Sequence, residues 1–349
     1  MKLPSYLCAP VTDLLPLLRL KNINEKRITM VRASIVRKCN THFADEHHEG
    51  LVCVFAGATR IPGIGGATLE RMATMLINST FYILGRSATR FTPHLDRLKT
   101  LSPTCNFVFL EAEISLLSEV DAACQKIMAA EQKVDYLYMS AGLLPLNGAE
   151  YTKEGLEMCM ALSYYSRMRM IVNLLPMLRQ SPQPRVLSVL NGGNEQRMYD
   201  HDLDLKQHWS VLAAINHSTT MTSLSFERLA KLEPKVAFLH NFPGWVRTDI
   251  WARITAPDSS GIVWRFILAA IQALVATAMF LVGQTSEESG ERQAYHLTSD
   301  EFGPGAWRID AASKEVTNPG VLEQYEQEGG PEKVWDHTSR VFDRILAAQ

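Results

Sequence analysis

From residue 51 onward, short continuous apolar runs alternate with segments whose apolar residues recur every three or four positions. The first run, Leu51 to Phe55, has the character of a strand buried on both faces. Behind it, Gly57, Gly63 and Gly65 punctuate a turn, and Leu69, Met72, Ala73 and Leu76 trace one face of a helix. The same alternation predicts strands at Thr80 to Leu84, Asn106 to Leu110, Val134 to Met139, Val186 to Leu190 and Val236 to Asn241, with a last strand at Gln293 to Ser299. Helices are expected around His94 to Leu101, over Leu117 to Glu131, Gly155 to Arg179 and Val211 to Leu232, and near Lys333 to Leu346. Strands and helices in alternation imply an α/β fold, a doubly wound parallel sheet with helices on both faces. The expected organisation is a single domain over residues 48–349 with an N-terminal extension over 1–47.

Composition changes this picture little. The 349 residues are 46% hydrophobic and 21% charged, ordinary values for a globular chain. The net charge is −2 and no basic block stands out, which argues against a nucleic-acid partner. Six cysteines show no paired ligand spacing, so neither zinc nor a disulfide framework is expected, and a reducing, cytoplasmic setting fits. Leu14 to Leu20 is apolar, but Asp13, Pro16 and Arg19 spoil it as a signal peptide. A second methionine, Met30, opens a segment with the character of a chain start, which makes the residues before it suspect as part of the native chain. Residues 266–283 carry no charge. They are expected to form an apolar helix over a substrate cleft, with attachment to a membrane surface as the alternative.

The chemistry gathers at the turns. A strand, a glycine turn and a helix start in succession form an anion site: glycines let the backbone approach, and the helix end favours negative charge. Ser140-Ala-Gly142 follows the fourth strand, and Pro243-Gly-Trp-Val-Arg-Thr248 follows the sixth. With the glycine turn and the run Tyr164-Tyr-Ser-Arg-Met-Arg169 followed by Leu174-Leu-Pro176, these motifs give a chain that resembles the short-chain dehydrogenase/reductase family. The similarity is to its divergent fungal branch of secondary-metabolite enzymes, and it covers about residues 48–300.

The resemblance implies a Rossmann-type sheet and a dinucleotide cofactor. Gly57, Gly63, Ile64 and Gly65 would line the pyrophosphate, with Ser140 and Gly142 beside them. Glu113 would meet the adenine, and Pro243, Val246 and Thr248 the nicotinamide end. Arg86, directly after the second strand, would read the adenosine ribose. A guanidinium there pairs with a 2′-phosphate where a carboxylate would take the ribose hydroxyls, so NADP is expected, with Arg60 assisting.

Two departures from the family pattern stand out. Five residues separate Gly57 from Gly63 where the family has three, and they include Pro62. The family's Tyr-x-x-x-Lys pair is missing: the helix before strand six offers Ser210 and Ala214, Ala213 and His217, or His217 and Met221, depending on register. Asn191 stands at the family's serine and Ser163 at its helix asparagine. His217, Tyr164 or Tyr165 are the candidate proton donors. The leading expectation is an NADP-dependent oxidoreductase acting on a carbonyl or alcohol of an apolar small molecule, with homo-oligomers left open. The rivals are a non-redox enzyme on the same fold (an isomerase, cyclase or dehydratase) and a non-catalytic nucleotide-binding protein.

Overall fold

The computed structural model describes residues 31–145, 148–248 and 283–347, with a few positions between 266 and 277. The 18-residue apolar segment 266–283 therefore lies largely outside the described residues, and among those described no helix is long and apolar enough to cross a membrane.

The described strands are β1 (Val52–Ala56), β2 (Thr80–Gly85), β3 (Asn106–Glu111), β4 (Tyr136–Met139), β5 (Arg185–Val189), β6 (Ala237–Asn241) and β7 (Gly305–Ile309). They form one sheet in the order β3-β2-β1-β4-β5-β6-β7, and every neighbouring pair is parallel. At its centre Val54 pairs with Tyr82 on one side and Leu137 on the other. Parallel neighbours need crossovers, and helices supply them. These are α1 (Ala33–Asp45), α2 (Ile64–Met75), α3 (Ala88–Leu101), α4 (Leu117–Ala130), α5 (Ser166–Leu178), α6 (Val211–Leu232), α7 (Ser286–Thr298), α8 (Val321–Gln327) and α9 (Gly330–Leu346). A turn at Met158–Met160 and a π-helical stretch at Ala161–Tyr165 lead into α5.

Side chains alternate across the pleat, so the sheet builds a core on each face. Cys53, Phe55, Phe81 and Leu239 pack with Leu69 and Met72 of α2, Phe91 of α3 and Leu297 of α7. Val54, Leu137, Val186 and Phe238 pack on the other face with Leu117 of α4, Ile171 of α5, Met221 and Phe226 of α6 and Phe342 of α9. Each of the five cysteines among the described residues is free.

One predicted element is corrected. Gln293 to Ser299 is not the last strand; residues 293–298 are the end of α7, and Ser299 follows it. Its helix starts from a capping signal, Thr285 accepting from Glu288 N. Residues 292–297 are all buried between α1, α2 and the sheet, which erases the polar face that would have marked a helix. The seventh strand is Gly305–Ile309, beside β6. Within the 1–47 extension, α1 is docked on the domain: Val36 is fully buried, and Asn40 Nδ2 donates to Glu291 O at 2.9 Å.

Candidate active site

All seven strands run the same way, so the turns after them share one edge of the sheet. β1 and β4 are neighbours there although β2 and β3 separate them in the chain. Strand order reverses at this point, which opens a crevice between the two turns.

Close approach shapes the turn after β1. Gly57 lies at φ +95°, and a Cβ there would stand 2.2 Å from Ala141 N. At Gly65 a Cβ would meet Gly57 O at 2.4 Å, and at Gly66 it would meet Arg60 O at 2.3 Å. Ser140 Oγ donates to Gly57 O at 3.2 Å, which ties the turn after β4 to the turn after β1. The longer loop is accommodated with a cis peptide bond before Pro62. Gly63 is the N-cap of α2, and no side chain caps that end, whereas Ser87, Ser210 and Thr285 cap α3, α6 and α7. The positive end of the α2 dipole, from Ile64 on, therefore has no side-chain acceptor in front of it.

Arg86 follows β2 and is well exposed; its Nη1 lies 3.7 Å from Glu113 Oε2. Glu113 is held in turn, since its Oε1 accepts from Ser115 Oγ at 2.9 Å. Arg60 is exposed on the glycine loop. The loop Pro243 to Thr248 is anchored from below: Gln284 Nε2 donates to Pro243 O at 2.6 Å, Val246 bridges Gln284, and Ser286 Oγ donates to Arg247 O at 3.0 Å. A cradle that no Cβ could enter, an open helix end and a cation past β2 fit the diphosphate and ribose of a dinucleotide.

Around the tips of β4 and β5 the structure brings Ser163, Arg167 and Asn191 into one neighbourhood. Arg167 is 2% exposed. It donates from Nε to Leu162 O (3.2 Å), from Nη1 to Ser188 Oγ (2.6 Å) and Val189 O (2.9 Å), and from Nη2 to Ala141 O (2.6 Å). Burial lowers its pKa to about 10. Asn191 donates from Nδ2 to Thr219 Oγ1 at 3.4 Å and accepts at Oδ1 from Asn194 Nδ2 at 2.9 Å. Its backbone N–H points at His240 Nε2, 3.4 Å away. His240 Nδ1 then donates to Ser223 Oγ at 2.8 Å, and Ser223 donates to Glu195 Oε1 at 2.6 Å. Burial lowers the His240 pKa to about 4, so the ring is neutral at physiological pH.

Three expected proton donors are placed elsewhere. The Tyr164 hydroxyl is 2.8 Å from Ser225 Oγ and 2.6 Å from Thr338 Oγ1, inside the core between α6 and α9. The Tyr165 hydroxyl is 2.8 Å from His337 Nε2 of α9. Burial raises both pKa values, that of Tyr164 to about 12. His217 is 1% exposed. Its Nε2 accepts from Tyr199 N at 2.9 Å, and its Nδ1 faces Leu203 O at 3.4 Å. Both ring nitrogens hold the 199–203 loop, and burial lowers the pKa. The apolar neighbours that made these residues readable as cleft-lining are the core itself.

Comparison with known proteins agrees with this geometry. The short chain dehydrogenase family model matches residues 52–222. The chain is 37% identical to "Oxidoreductase AN1596" of Emericella nidulans over 326 residues, 85% of this chain and 94% of that protein. It is 35% identical to "Oxidoreductase lepF" of Aspergillus flavus, across 84% of this chain and 92% of the relative. The chain belongs to the short-chain dehydrogenase/reductase family. Among solved structures, a short-chain dehydrogenase/reductase from Serratia marcescens superposes with a TM-score of 0.53 at 16% identity, over 76% of this chain and 98% of that one. A 3-oxoacyl-(acyl-carrier protein) reductase from Brucella melitensis in complex with NAD gives 0.53 at 15%, over 75% and 95%. These confirm the Rossmann-type fold.

Membership of the short-chain dehydrogenase/reductase family implies a nicotinamide dinucleotide in the crevice. The helix expected to open with this family's Tyr-x-x-x-Lys pair is α6, which contains no tyrosine and carries its one lysine, Lys231, in the last turn. Ala213, Ala214 and Met221, three of the positions that competing registers assign to the pair, are buried in the core. Sequence reasoning missed Gly66, although the Gly65-Gly66 doublet signals a second close approach. Arg167 enters the sequence reading only within the run Tyr164 to Arg169, with no role of its own. A charged residue one turn from Tyr164 and Ile171, on the buried stripe of α5, was the available signal.

Proposed function

We propose that this chain is an NADP(H)-dependent oxidoreductase that interconverts a carbonyl and an alcohol on an apolar small molecule of fungal secondary metabolism. Arg86 carries the cofactor choice. A guanidinium stands directly past β2, where a carboxylate would accept from the 2′- and 3′-hydroxyls of NAD, and a 2′-phosphate can form charge-assisted bonds to it. Glu113, 3.7 Å away, keeps the side chain over the ribose position and competes with the phosphate for it. Arg60 adds positive charge on the glycine loop.

The dinucleotide supplies and accepts hydride when bound. The chain's residues orient it: the turn at Gly57, Gly65 and Gly66 with the α2 end takes the diphosphate, and Ser140, Gly142 and the Pro243–Thr248 loop flank the nicotinamide half. Asn191 and Ser163, which stand at the family's serine and helix asparagine, donate to the substrate oxygen. Relatives named as oxidoreductases support the redox reading.

Fluorescence titration of the protein with NADPH and NADH tests it. NADPH is expected to bind at least about tenfold tighter, in line with a charge-assisted contact, and Arg86→Glu should reverse the order. Equal affinities for the two nucleotides would refute the assignment. The missing Tyr-x-x-x-Lys pair favours, as a second reading, a non-redox reaction with an idle cofactor. Single-turnover absorbance at the reduced-nicotinamide band separates the two, because only hydride transfer bleaches it.

A further inference from the structure

Arg167 holds a buried positive charge with no carboxylate beside it among the described residues. Its partners are three carbonyl oxygens and the Ser188 hydroxyl. The groups that favour its charge are the Tyr138 phenol and the Cys159 thiol, both ordinarily neutral. Taking an unneutralised cation out of water is costly, and a neutral amide could brace the same carbonyls without that cost. A permanent charge is useful where an anion forms. The guanidinium has five N–H donors. Four are engaged, which leaves one on Nη2.

That atom lies beside Gly142. The point where a side chain on Gly142 would begin lies 3.8 Å from Ser163 Oγ and 3.9 Å from Arg167 Nη2, and apart from Gly142's chain neighbours no other atom comes within 4 Å. Ser163 is itself poorly engaged, its nearest polar contact being Cys159 Sγ at 3.9 Å. A hydroxyl and a guanidinium nitrogen thus stand on the same side of Gly142, at the tip of β4, where the backbone carries no side chain.

We infer that Arg167 Nη2 and Ser163 Oγ form a two-donor site beside Gly142 for a substrate oxygen that gains negative charge, and that Arg167 provides the fixed cation missing from the first turns of α6. The inference rests on the redox reading above. In the reducing direction the carbonyl carbon takes hydride from a dihydronicotinamide, which is oxidised, and the carbonyl π pair moves onto oxygen. The alkoxide sits against the two donors and takes its proton from water. The site stabilises charge and leaves proton delivery to solvent, which accounts for an active centre without the Tyr-x-x-x-Lys pair.

The test uses the full chain and a carboxylate as a stand-in for the alkoxide. Fluorine NMR line broadening measures the affinity of trifluoroacetate against its neutral isostere trifluoroacetamide on the protein alone. The wild type should bind the anion about tenfold tighter, as expected for a hydrogen bond to a charged group. Arg167→Gln should bring the two to parity. Ser163→Ala, a small truncation that keeps the fold even if Arg167→Gln does not, should weaken trifluoroacetate about threefold and leave the amide unchanged. Equal affinities in the wild type, or a preference undiminished by either substitution, overturns the inference. NADPH titration of the same samples is read separately, so a failure of nucleotide binding is told apart from a failure of the anion site.

Discussion

At the scale of single residues, Gly57 is the most constrained position of the phosphate turn. Both its positive φ and the backbone of Ala141 exclude a side chain. Gly57→Ala is expected to cost at least about 2 kcal/mol, lowering Tm by roughly 5 °C, and to weaken NADPH binding about tenfold because the turns after β1 and β4 separate. Thermal melts and the fluorescence titration check both effects. Glu227 makes an opposite case. Burial is the main cause that raises its pKa, to about 7, and its Oε2 has no hydrogen-bond partner. A carboxyl that holds its proton more tightly when folded adds stability at low pH and loses it as pH rises through the interval from 4.5 to 7. Glu227→Gln should therefore stabilise the protein at pH 8 by about 1–2 kcal/mol, discounted for partial exposure, and change little at pH 5. Urea melts at the two pH values read the difference directly.

At the scale of elements, α9 is fastened by Val334, Val341, Phe342 and Ile345, all buried against the core of α4, α5 and α6. Phe342→Ala is expected to cost about 3 kcal/mol and to leave NADPH affinity unchanged, since the phosphate turn belongs to other elements; a matching loss of binding would contradict that separation. Elements were legible in the sequence where burial produced a simple pattern. β1, β2 and β3 are continuous apolar or β-branched runs, and α6 was bounded correctly by Ser210 and Leu232. The pattern failed at α7, whose last turns are buried all round, and at β7, an edge strand in which only Ile309 is fully buried. The site divides the same way. Glycines and Arg86 announce themselves by residue type and position. By contrast, the roles of Tyr164, Tyr165 and His217 depend on which neighbours their polar atoms reach, and partners such as Thr338 and His337, more than 170 positions away, could not be read from local spacing.

At the scale of the whole molecule, five histidines are tuned in the same direction. Burial lowers the pKa of His94 and His217, and takes His240 and His337 to about 4 and His296 to about 3. For a base with a depressed folded pKa, the unfolded chain binds the extra proton. The associated stability is complete above pH 6.5 and is lost as pH falls toward 4. Unfolding near pH 5 should accordingly take up about three protons. The slope of unfolding free energy against pH measures this number, and a flat slope between pH 6.5 and 4.5 would contradict the neutral, buried state of these rings.

The tail helix also sets how this molecule can meet its neighbours. By lying across α4 and α6, the chain's own C-terminal segment covers that flank with Val334, Val341, Phe342 and Ile345. A companion docked on the opposite flank, around α1 and α7, would not have to displace this helix.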